Sequence, residues 1–227
     1  SVLDVLILVA LLVVLVLHAP MARAVDYFSR TSADWTANKT WKLNSCADTG
    51  DAGNAQPGDN ANDTATICNN HTIRLDGNQT FTTLTIEGTG RLNMSDNAAR
   101  TLNVTGNVDV QGAASILRFN STGAQTLTIG GTLSNNGTID SLGGVVGNRT
   151  LTVAGAIDNT GGTIRFAATN STMTINANGG INNTANATFD VGNTSNSTLT
   201  LNVGGTGIAN NGTFNLGVSN TSFATTN

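Results

Sequence analysis

Threonine and apolar residues alternate in six short segments of the chain. Each segment reads Thr-apolar-Thr-apolar, except that Asn103 replaces one threonine. The segments span 83–86, 101–104, 126–129, 150–153, 172–175 and 198–201. Alternation at period two sends neighbouring side chains to opposite faces of a strand. Each segment therefore predicts a β-strand with an apolar face and a threonine face.

Two further strands are predicted between successive segments. A second apolar position recurs at Val108, Leu133, Ile157, Ile181 and Ile208. A third strand is predicted at 117–119, 139–141, 164–166, 189–191 and 214–216, and the last four of these begin 25 residues apart. Three short strands in each 22–26 residues, separated by Gly and Asn, are typical of one coil of a solenoid. We predict an all-β fold, a right-handed parallel β-helix (β-solenoid) of about six coils over residues 80–227. We predict that a further coil begins near residue 223, so we expect the repeats to continue beyond residue 227.

Stacked coils should bring equivalent side chains into columns. We expect one inward column to contain Leu84, Leu102, Leu127, Leu151, Met173 and Leu199. We expect a second to contain Phe119, Ser141, Phe166, Val191 and Leu216. Asparagine and glycine recur before the third strand, at 135–137, 159–162, 182–183 and 210–212. Because both residue types tolerate positive φ, we predict that they form the tight corners.

The outward threonines are the candidate binding face. Its residues are Thr83, Thr85, Thr126, Thr128, Thr150, Thr152, Thr172, Thr174, Thr198 and Thr200. In-register stacking would give two files of hydroxyl and methyl groups, which resembles the flat face of ice-binding β-solenoids. A structural explanation competes with this one, because threonine is a good strand former whose methyl group packs against its stacked neighbour. We favour the structural explanation.

Charged residues occupy the outward position of the third strand. Stacking would place Arg118, Asp140, Arg165 and Asp190 about 4.8 Å apart in a ladder of alternating charge. Opposite charges on neighbouring strands attract and oppose a slip in register. Some β-helix enzymes act on acidic polysaccharides through such outer residues. General acid–base catalysis needs unpaired groups, however, so the ladder favours a structural role.

Residues 1–24 are predicted to be a signal peptide. The apolar run 5–17 is too short to span a bilayer, and Ala22 and Ala24 form an Ala-x-Ala cleavage motif. Cleavage after Ala24 would make Val25 the first residue of an exported chain without a membrane span. The alternative is a retained pilin-like stem, with Asp4 opening a long helix.

The charged residues and cysteines limit the classes of function that the chain can have. Ten Lys and Arg residues in a chain of net charge −4 cannot supply the basic surface that nucleic acids require. Cys46 and Cys68 are predicted to form one disulfide in an exported protein, with two buried free thiols as the alternative. Asp48, Asp51, Asp59 and Asp63 lack the spacing of a known calcium loop, so a solvated acidic loop is the preferred interpretation. We predict no metal or other cofactor, and we expect His71 to be a strand-edge residue.

Residues 25–79 differ from the repeats and are predicted to form an N-terminal cap and the entry to the solenoid. The segment contains Trp35 and Trp41, then Pro57-Gly58-Asp59 and the strands 63–67 and 71–76. This order resembles the entry segment of bacterial surface solenoids of adhesin type, including autotransporter passengers and proteins associated with mannose-sensitive haemagglutinin pili. The resemblance implies a non-catalytic protein at the cell surface or outside the cell. Its partner would be a host or matrix surface, including carbohydrate.

Overall fold

A computed structural model describes residues 23–50, 52–94, 97–120, 122–141, 147–168, 171–193, 198–217 and 221–225. The predicted signal peptide lies outside these residues, apart from Arg23 and Ala24. Regular structure in the described parts consists of strands alone. These parts contain no helix with the length and apolar character needed to cross a membrane.

Twenty-four short strands form the fold. In chain order they are β1 (Asp26–Ser29), β2 (Ala33–Asp34), β3 (Trp41–Leu43), β4 (Thr64–Ile67), β5 (Thr72–Arg74), β6 (Gln79–Phe81), β7 (Thr83–Ile86), β8 (Arg91–Met94), β9 (Arg100–Val104), β10 (Val108–Val110), β11 (Ile116–Phe119), β12 (Gln125–Ile129), β13 (Leu133–Asn135), β14 (Thr138–Ser141), β15 (Arg149–Val153), β16 (Ile157–Asn159), β17 (Thr163–Ala168), β18 (Thr172–Ala177), β19 (Ile181–Asn183), β20 (Thr188–Asn193), β21 (Thr198–Val203), β22 (Ile208–Asn210), β23 (Thr213–Leu216) and β24 (Thr221–Thr225).

The strands stack into three sheets that run along the solenoid. Sheet A has the order β22-β19-β16-β13-β10-β7-β4-β1-β3, sheet B the order β2-β5-β8-β11-β14-β17-β20-β23, and sheet C the order β24-β21-β18-β15-β12-β9-β6. Every pairing within these orders is parallel except that of β1 with β3. Successive strands along the repeats therefore belong to different sheets, which confirms the predicted parallel β-solenoid.

The third strands stack in the predicted register. Ile139 pairs with Ile164, Ile164 with Phe189, and Phe189 with Phe214 along sheet B. The second predicted column, Phe119, Ser141, Phe166, Val191 and Leu216, is in register as well. The repeat of 25 residues thus places one apolar residue over the next inside the solenoid.

One of the predicted inward columns is wrong at its first member. Leu84 lies in β7, which pairs with β4 and β10 in sheet A, whereas Leu102 and Leu127 lie in sheet C. The first strand of sheet C is β6, where Phe81 pairs with Val104. Residues 79–86 therefore form two strands, β6 in sheet C and β7 in sheet A, with a corner between them. The Thr-x-Thr pattern does not show which sheet a strand joins, because strands of both sheets carry it.

The same column is also wrong at Met173 and Leu199. Ile175, not Met173, pairs with Leu151, and Leu201 pairs with Ile175. A shift of two residues keeps every apolar side chain on the inner face, so alternation alone does not fix the register. The register agrees with the corner that follows each strand. There, Gly179 N donates to Gly155 O at 3.1 Å, so the two corners stack on each other.

The asparagines before the third strand have a different role from the one predicted. Asn135, Asn159 and Asn183 are buried, and none has positive φ. Their side chains form an inward ladder in which each Nδ2 donates to the Oδ1 of the next residue. The distances are 2.8 Å from Asn135 to Asn159, 2.8 Å from Asn159 to Asn183 and 2.7 Å from Asn183 to Asn210. Positive φ occurs nearby at Gly161.

The segment 25–79 closes one end of the solenoid, contributes strands to sheets A and B, and leads into β6 of sheet C at Gln79. Trp35 stacks on Phe81 with a ring-centroid distance of 5.3 Å. Trp35 and Trp41 pack edge to face, with a ring-centroid distance of 4.7 Å. The indole of Trp35 donates to Pro57 O at 3.0 Å. These buried aromatic rings cover the first turn of the repeats, which would otherwise expose an apolar cross-section.

Candidate binding faces of the solenoid

Each sheet presents one outer face, which we call the A, B or C face after its sheet. On the C face, two files of outward residues run along the solenoid. The first file is Thr101, Thr126, Thr150, Thr174 and Thr200, and the second is Thr80, Asn103, Thr128, Thr152, Asn176 and Asn202. Thr172 and Thr198 stack on each other at the start of their strands. The structure therefore brings eight of the ten candidate threonines onto one face.

Asparagine interrupts the second file and bonds along it. Asn176 Nδ2 donates to Thr152 Oγ1 at 3.0 Å, and Asn202 Nδ2 donates to Asn176 Oδ1 at 2.8 Å. These contacts join one coil to the next. Some polar side chains of the C face therefore already form hydrogen bonds within the solenoid. The sequence prediction missed Asn176 and Asn202 because it assumed the unshifted register.

The remaining two candidate threonines lie elsewhere. Thr83 and Thr85 are on the A face, where they pair with Thr64 and Thr66. Asp109 continues the file beyond Thr85. A single Thr-x-Thr face built from all six segments is therefore wrong, because the first segment belongs to another sheet.

Threonine files are not special to the C face. On the B face, Thr138, Thr163, Thr188 and Thr213 are in register over four strands. Threonine thus stacks on all three faces of the solenoid. Strand propensity accounts for threonine on all three faces, whereas binding to a ligand lattice would account for threonine on one face only.

The charge ladder lies on the B face in the predicted order. Asp140 accepts two hydrogen bonds of 2.6 Å from Arg118 Nε and Nη2, and the pair is largely buried. Asp140 raises the pKa of the Arg118 guanidinium. Arg165 Nε lies 3.5 Å from Asp190 Oδ2 in a more exposed pair.

Sequence reasoning missed the first pair of this ladder. Arg74 donates from Nε and Nη2 to the two carboxylate oxygens of Asp34, at 2.6 and 2.7 Å. Both residues lie in the non-repetitive segment, so the 25-residue spacing gave no sign of them. The sequence offered only a local signal for this pair. Asp34 immediately precedes the buried Trp35, and Arg74 immediately precedes the buried Leu75.

The B face offers no free carboxylate at Asp140. Both oxygens of this residue are bonded to Arg118, so neither is available to take a proton from a substrate. The described residues contain no group of three His, Cys, Asp or Glu side chains arranged to hold a metal ion. Asp51 lies outside the described residues.

Cys46 and Cys68 form the predicted disulfide, with a Cα–Cα distance of 5.6 Å. The alternative of two free thiols is therefore wrong. The buried ammonium of Lys42 holds the same loop, because its Nζ donates to the carbonyl oxygens of Cys46 at 2.6 Å and Asp48 at 2.7 Å. The disulfide thus joins the loop after β3 to the residue that follows β4, both within the segment 25–79.

His71 lies beside this disulfide and precedes β5. Its Nδ1 is 2.8 Å from Ser29 Oγ, which accepts the N–H of Cys68 at 2.8 Å. Burial is the main factor that lowers the pKa of His71, and Lys42 adds to the effect. A neutral imidazole can accept a hydrogen bond from the Ser29 hydroxyl at Nδ1 in this arrangement.

The acidic residues of the closing segment do not form one solvated loop. Asp48 and Asp59 cap local turns, with Asp48 Oδ1 accepting Gly50 N and Asp59 Oδ2 accepting Gln56 N. Asp63 is fully buried, contrary to the prediction. It is buried because it immediately precedes β4 and turns its carboxylate inward to accept backbone N–H groups.

Comparison with models of known protein families finds no match, and searches of curated proteins and of solved structures find none either. The chain is shown by its structure to be a β-solenoid with one disulfide. The resemblance to surface proteins of adhesin type remains a prediction from the sequence.

Proposed function

We propose that this chain is an exported, non-catalytic surface or extracellular protein of adhesin type, which displays the outer faces of its solenoid. One observation carries the proposal. Outward polar groups are paired with equivalent groups of the next coil, as in Arg118–Asp140 and Asn176–Thr152, rather than converging on a cleft. Such an arrangement favours a stiff repetitive surface over a catalytic site. The partner we expect is a host or matrix surface, including carbohydrate.

Binding can be tested on the chain from Val25 onward. We expect it to bind at least one immobilised surface in a panel of matrix proteins and neutral and acidic polysaccharides, measured by biolayer interferometry. Three matched variants, Ser134→Tyr on the A face, Thr163→Tyr on the B face and Thr150→Tyr on the C face, each place a bulky ring at a half-buried outward position. Loss of binding in one variant alone would identify the contacting face. Absence of binding to every surface would contradict the adhesin assignment.

An ice-binding solenoid is the second candidate, and the register of the C face favours it. Five threonines follow one another in the first file without interruption. An ice-recrystallisation assay on wild type and Thr152→Tyr tests this candidate. Inhibition by wild type that the variant loses would replace our leading proposal.

A polysaccharide-active β-helix is the third candidate. Assays for reducing sugars and for unsaturated products on acidic glycans test it, with Asp140→Asn and Asp190→Asn as variants. Turnover by wild type that either variant abolishes would contradict a non-catalytic role.

A further inference from the structure

A buried carboxylate lies beside the predicted start of the mature chain. Asp63 is fully buried, and its Oδ2 accepts Asn60 N at 3.0 Å while its Oδ1 accepts Val25 N at 3.1 Å. Among the described residues, no basic side chain forms a salt bridge with Asp63. Burying a carboxylate against neutral donors alone costs free energy that an opposite charge would offset.

Val25 is fixed at this place by the strand that follows Asp63. The carbonyl oxygen of Val25 accepts Thr64 N at 2.9 Å, and Asp26 then pairs with Thr64 in sheet A. The backbone N of Val25 is therefore held between a side chain and a strand of the solenoid.

The bond before Val25 is open to a peptidase. Arg23 and Ala24 are exposed, and Ala22 and Ala24 supply the small residues of an Ala-x-Ala motif. Asn60 Nδ2 donates to Arg23 O at 3.2 Å, so the chain passes over the same turn that holds Asp63. An exposed bond next to a docked residue can be cut without disturbing β1.

We propose that the Ala24–Val25 bond is a processing site and that Asp63 is the receptor for the α-ammonium group created there. The inference rests on the export that we propose above. An external signal-type peptidase adds water across the bond, so Ala24 leaves with a carboxylate and Val25 gains protons to become an ammonium ion. The neutral N–H that faces Asp63 Oδ1 then becomes a full positive charge at the same place.

This conversion changes a hydrogen bond from a neutral N–H to the carboxylate into a partly buried ion pair. Hydrogen bonds between two charged groups are substantially stronger than neutral ones. Cleavage would therefore lock β1 onto β4 and stabilise the mature chain relative to its precursor. Asp26, Asp59 and Tyr27 are further titratable groups in this region. Asp26 follows Val25 and accepts a hydrogen bond from Thr64 Oγ1. Burial, followed by the charges of Asp63 and Asp59, raises the pKa of Tyr27.

The test compares chains that differ by one residue at the N-terminus. One begins at Val25 and the other at Ala24, both released from a fusion partner that leaves no extra residues. The additional residue moves the ammonium by about 3.8 Å, out of contact with Asp63. We expect the Val25 chain to melt about 3–6 °C higher at pH 7, by differential scanning calorimetry.

Two further variants separate the ion pair from other effects of the extension. In Asp63→Asn the difference in Tm between the two chains should vanish, because the charge is lost. In Asp59→Asn, an exposed acid of the same segment, the difference should persist. Equal Tm values for the two wild-type chains, or a difference that survives Asp63→Asn, would overturn the inference.

The pH dependence gives a third readout. Pairing raises the pKa of the α-ammonium group above its usual value of about 7.7–8.0, so its contribution is present below that pH and is lost as the pH rises. The difference in Tm between the Val25 and Ala24 chains should therefore narrow between pH 7 and pH 10.5. A constant difference over this range would count against an ammonium group as its source.

N-terminal sequencing of the protein made by cells distinguishes this inference from the function proposed above. Exported protein that begins at Val25 supports both. Exported protein that begins at another residue contradicts the processing site and leaves export standing. Protein retained inside cells contradicts export, while the calorimetry on purified chains still decides whether Asp63 binds the ammonium group.

Discussion

At the scale of single residues, burial decides how much an outward ion pair contributes. Arg118 and Asp140 share two hydrogen bonds and leave 22% and 13% of their side chains exposed, whereas Arg165 in the next pair is 57% exposed. Exposed pairs contribute little because water and salt screen them. The two pairs occupy the same file of the B face, so they differ mainly in desolvation and geometry.

Asp140→Asn should therefore destabilise the protein more than Asp190→Asn. We expect a loss of about 1–2 kcal/mol in the free energy of unfolding for Asp140→Asn, because Arg118 is left partly buried without its charge partner. The matched change at Asp190 should cost less than about 0.5 kcal/mol. Urea unfolding monitored by circular dichroism measures both. Equal losses would show that burial does not govern these pairs.

His71 predicts a pH dependence of stability. Its lowered pKa means that the folded state favours the neutral imidazole, so the contribution is present above the ordinary pKa of about 6.5 and is lost as the pH falls through the folded value. We expect Tm to fall between pH 7.5 and pH 5.5. The fall should be smaller in His71→Gln, which keeps a polar side chain without titrating in this range. An unchanged fall in that variant would assign it to other groups.

At the scale of the strand, neighbouring residues of one type have opposite roles. Asn182 is exposed on the A face, while Asn183 is buried and joins three coils. The Nδ2 of Asn183 donates to Asn210 Oδ1 and to Thr213 O, and its Oδ1 accepts from Asn159. Buried amides are tolerated here because the parallel stack supplies a partner on each side.

Replacing each of these asparagines by alanine tests the ladder. Asn183→Ala leaves the amide of Asn159 without one acceptor and should cost about 2–3 kcal/mol in the free energy of unfolding. Asn182→Ala removes an exposed side chain from the same strand and should change stability by less than about 0.5 kcal/mol. Chemical denaturation compares the two. Similar effects would contradict a structural role for the ladder.

At the scale of the whole molecule, stability depends on stacking between coils. Each coil covers the apolar interior of its neighbours, and the closing segment covers the first coil with Trp35 and Trp41. The disulfide fixes this segment, because it joins Cys46 to Cys68 over 22 residues of sequence. Loss of the disulfide should therefore destabilise the end of the solenoid that the segment 25–79 closes before it affects the other coils.

A double Cys46→Ser and Cys68→Ser variant tests this role. Loop-closure entropy predicts a loss of about 3 kcal/mol in the region that the disulfide closes. Hydrogen exchange should rise first in β3 and the loop after it, while sheet C keeps its protection. Reductant should reproduce the effect in wild type and add nothing to the double variant. A uniform rise in hydrogen exchange over all coils would indicate that the segment 25–79 does not unfold separately from the rest of the solenoid.

Much of the fold was predictable because the signals are periodic. Three strands per coil and the 25-residue spacing from Ile139 to Phe214 placed the third strands in the correct register. The spacing of the Thr-x-Thr segments was less reliable, since a shift of two residues or a change of sheet leaves the alternation intact. Met173 and Thr83 were misplaced for that reason.

The sequence alone determined the class of fold, the inner and outer faces of most strands and the charge ladder from Arg118 to Asp190, because each follows from local alternation and spacing. It favoured a disulfide between Cys46 and Cys68 over two free thiols, and the structure decided that choice. The tertiary structure decided which sheet each strand joins, which asparagines point inward and that Asp63 faces Val25. These depend on where the chain turns its corners, and a corner is set by backbone hydrogen bonds between coils that no local pattern records.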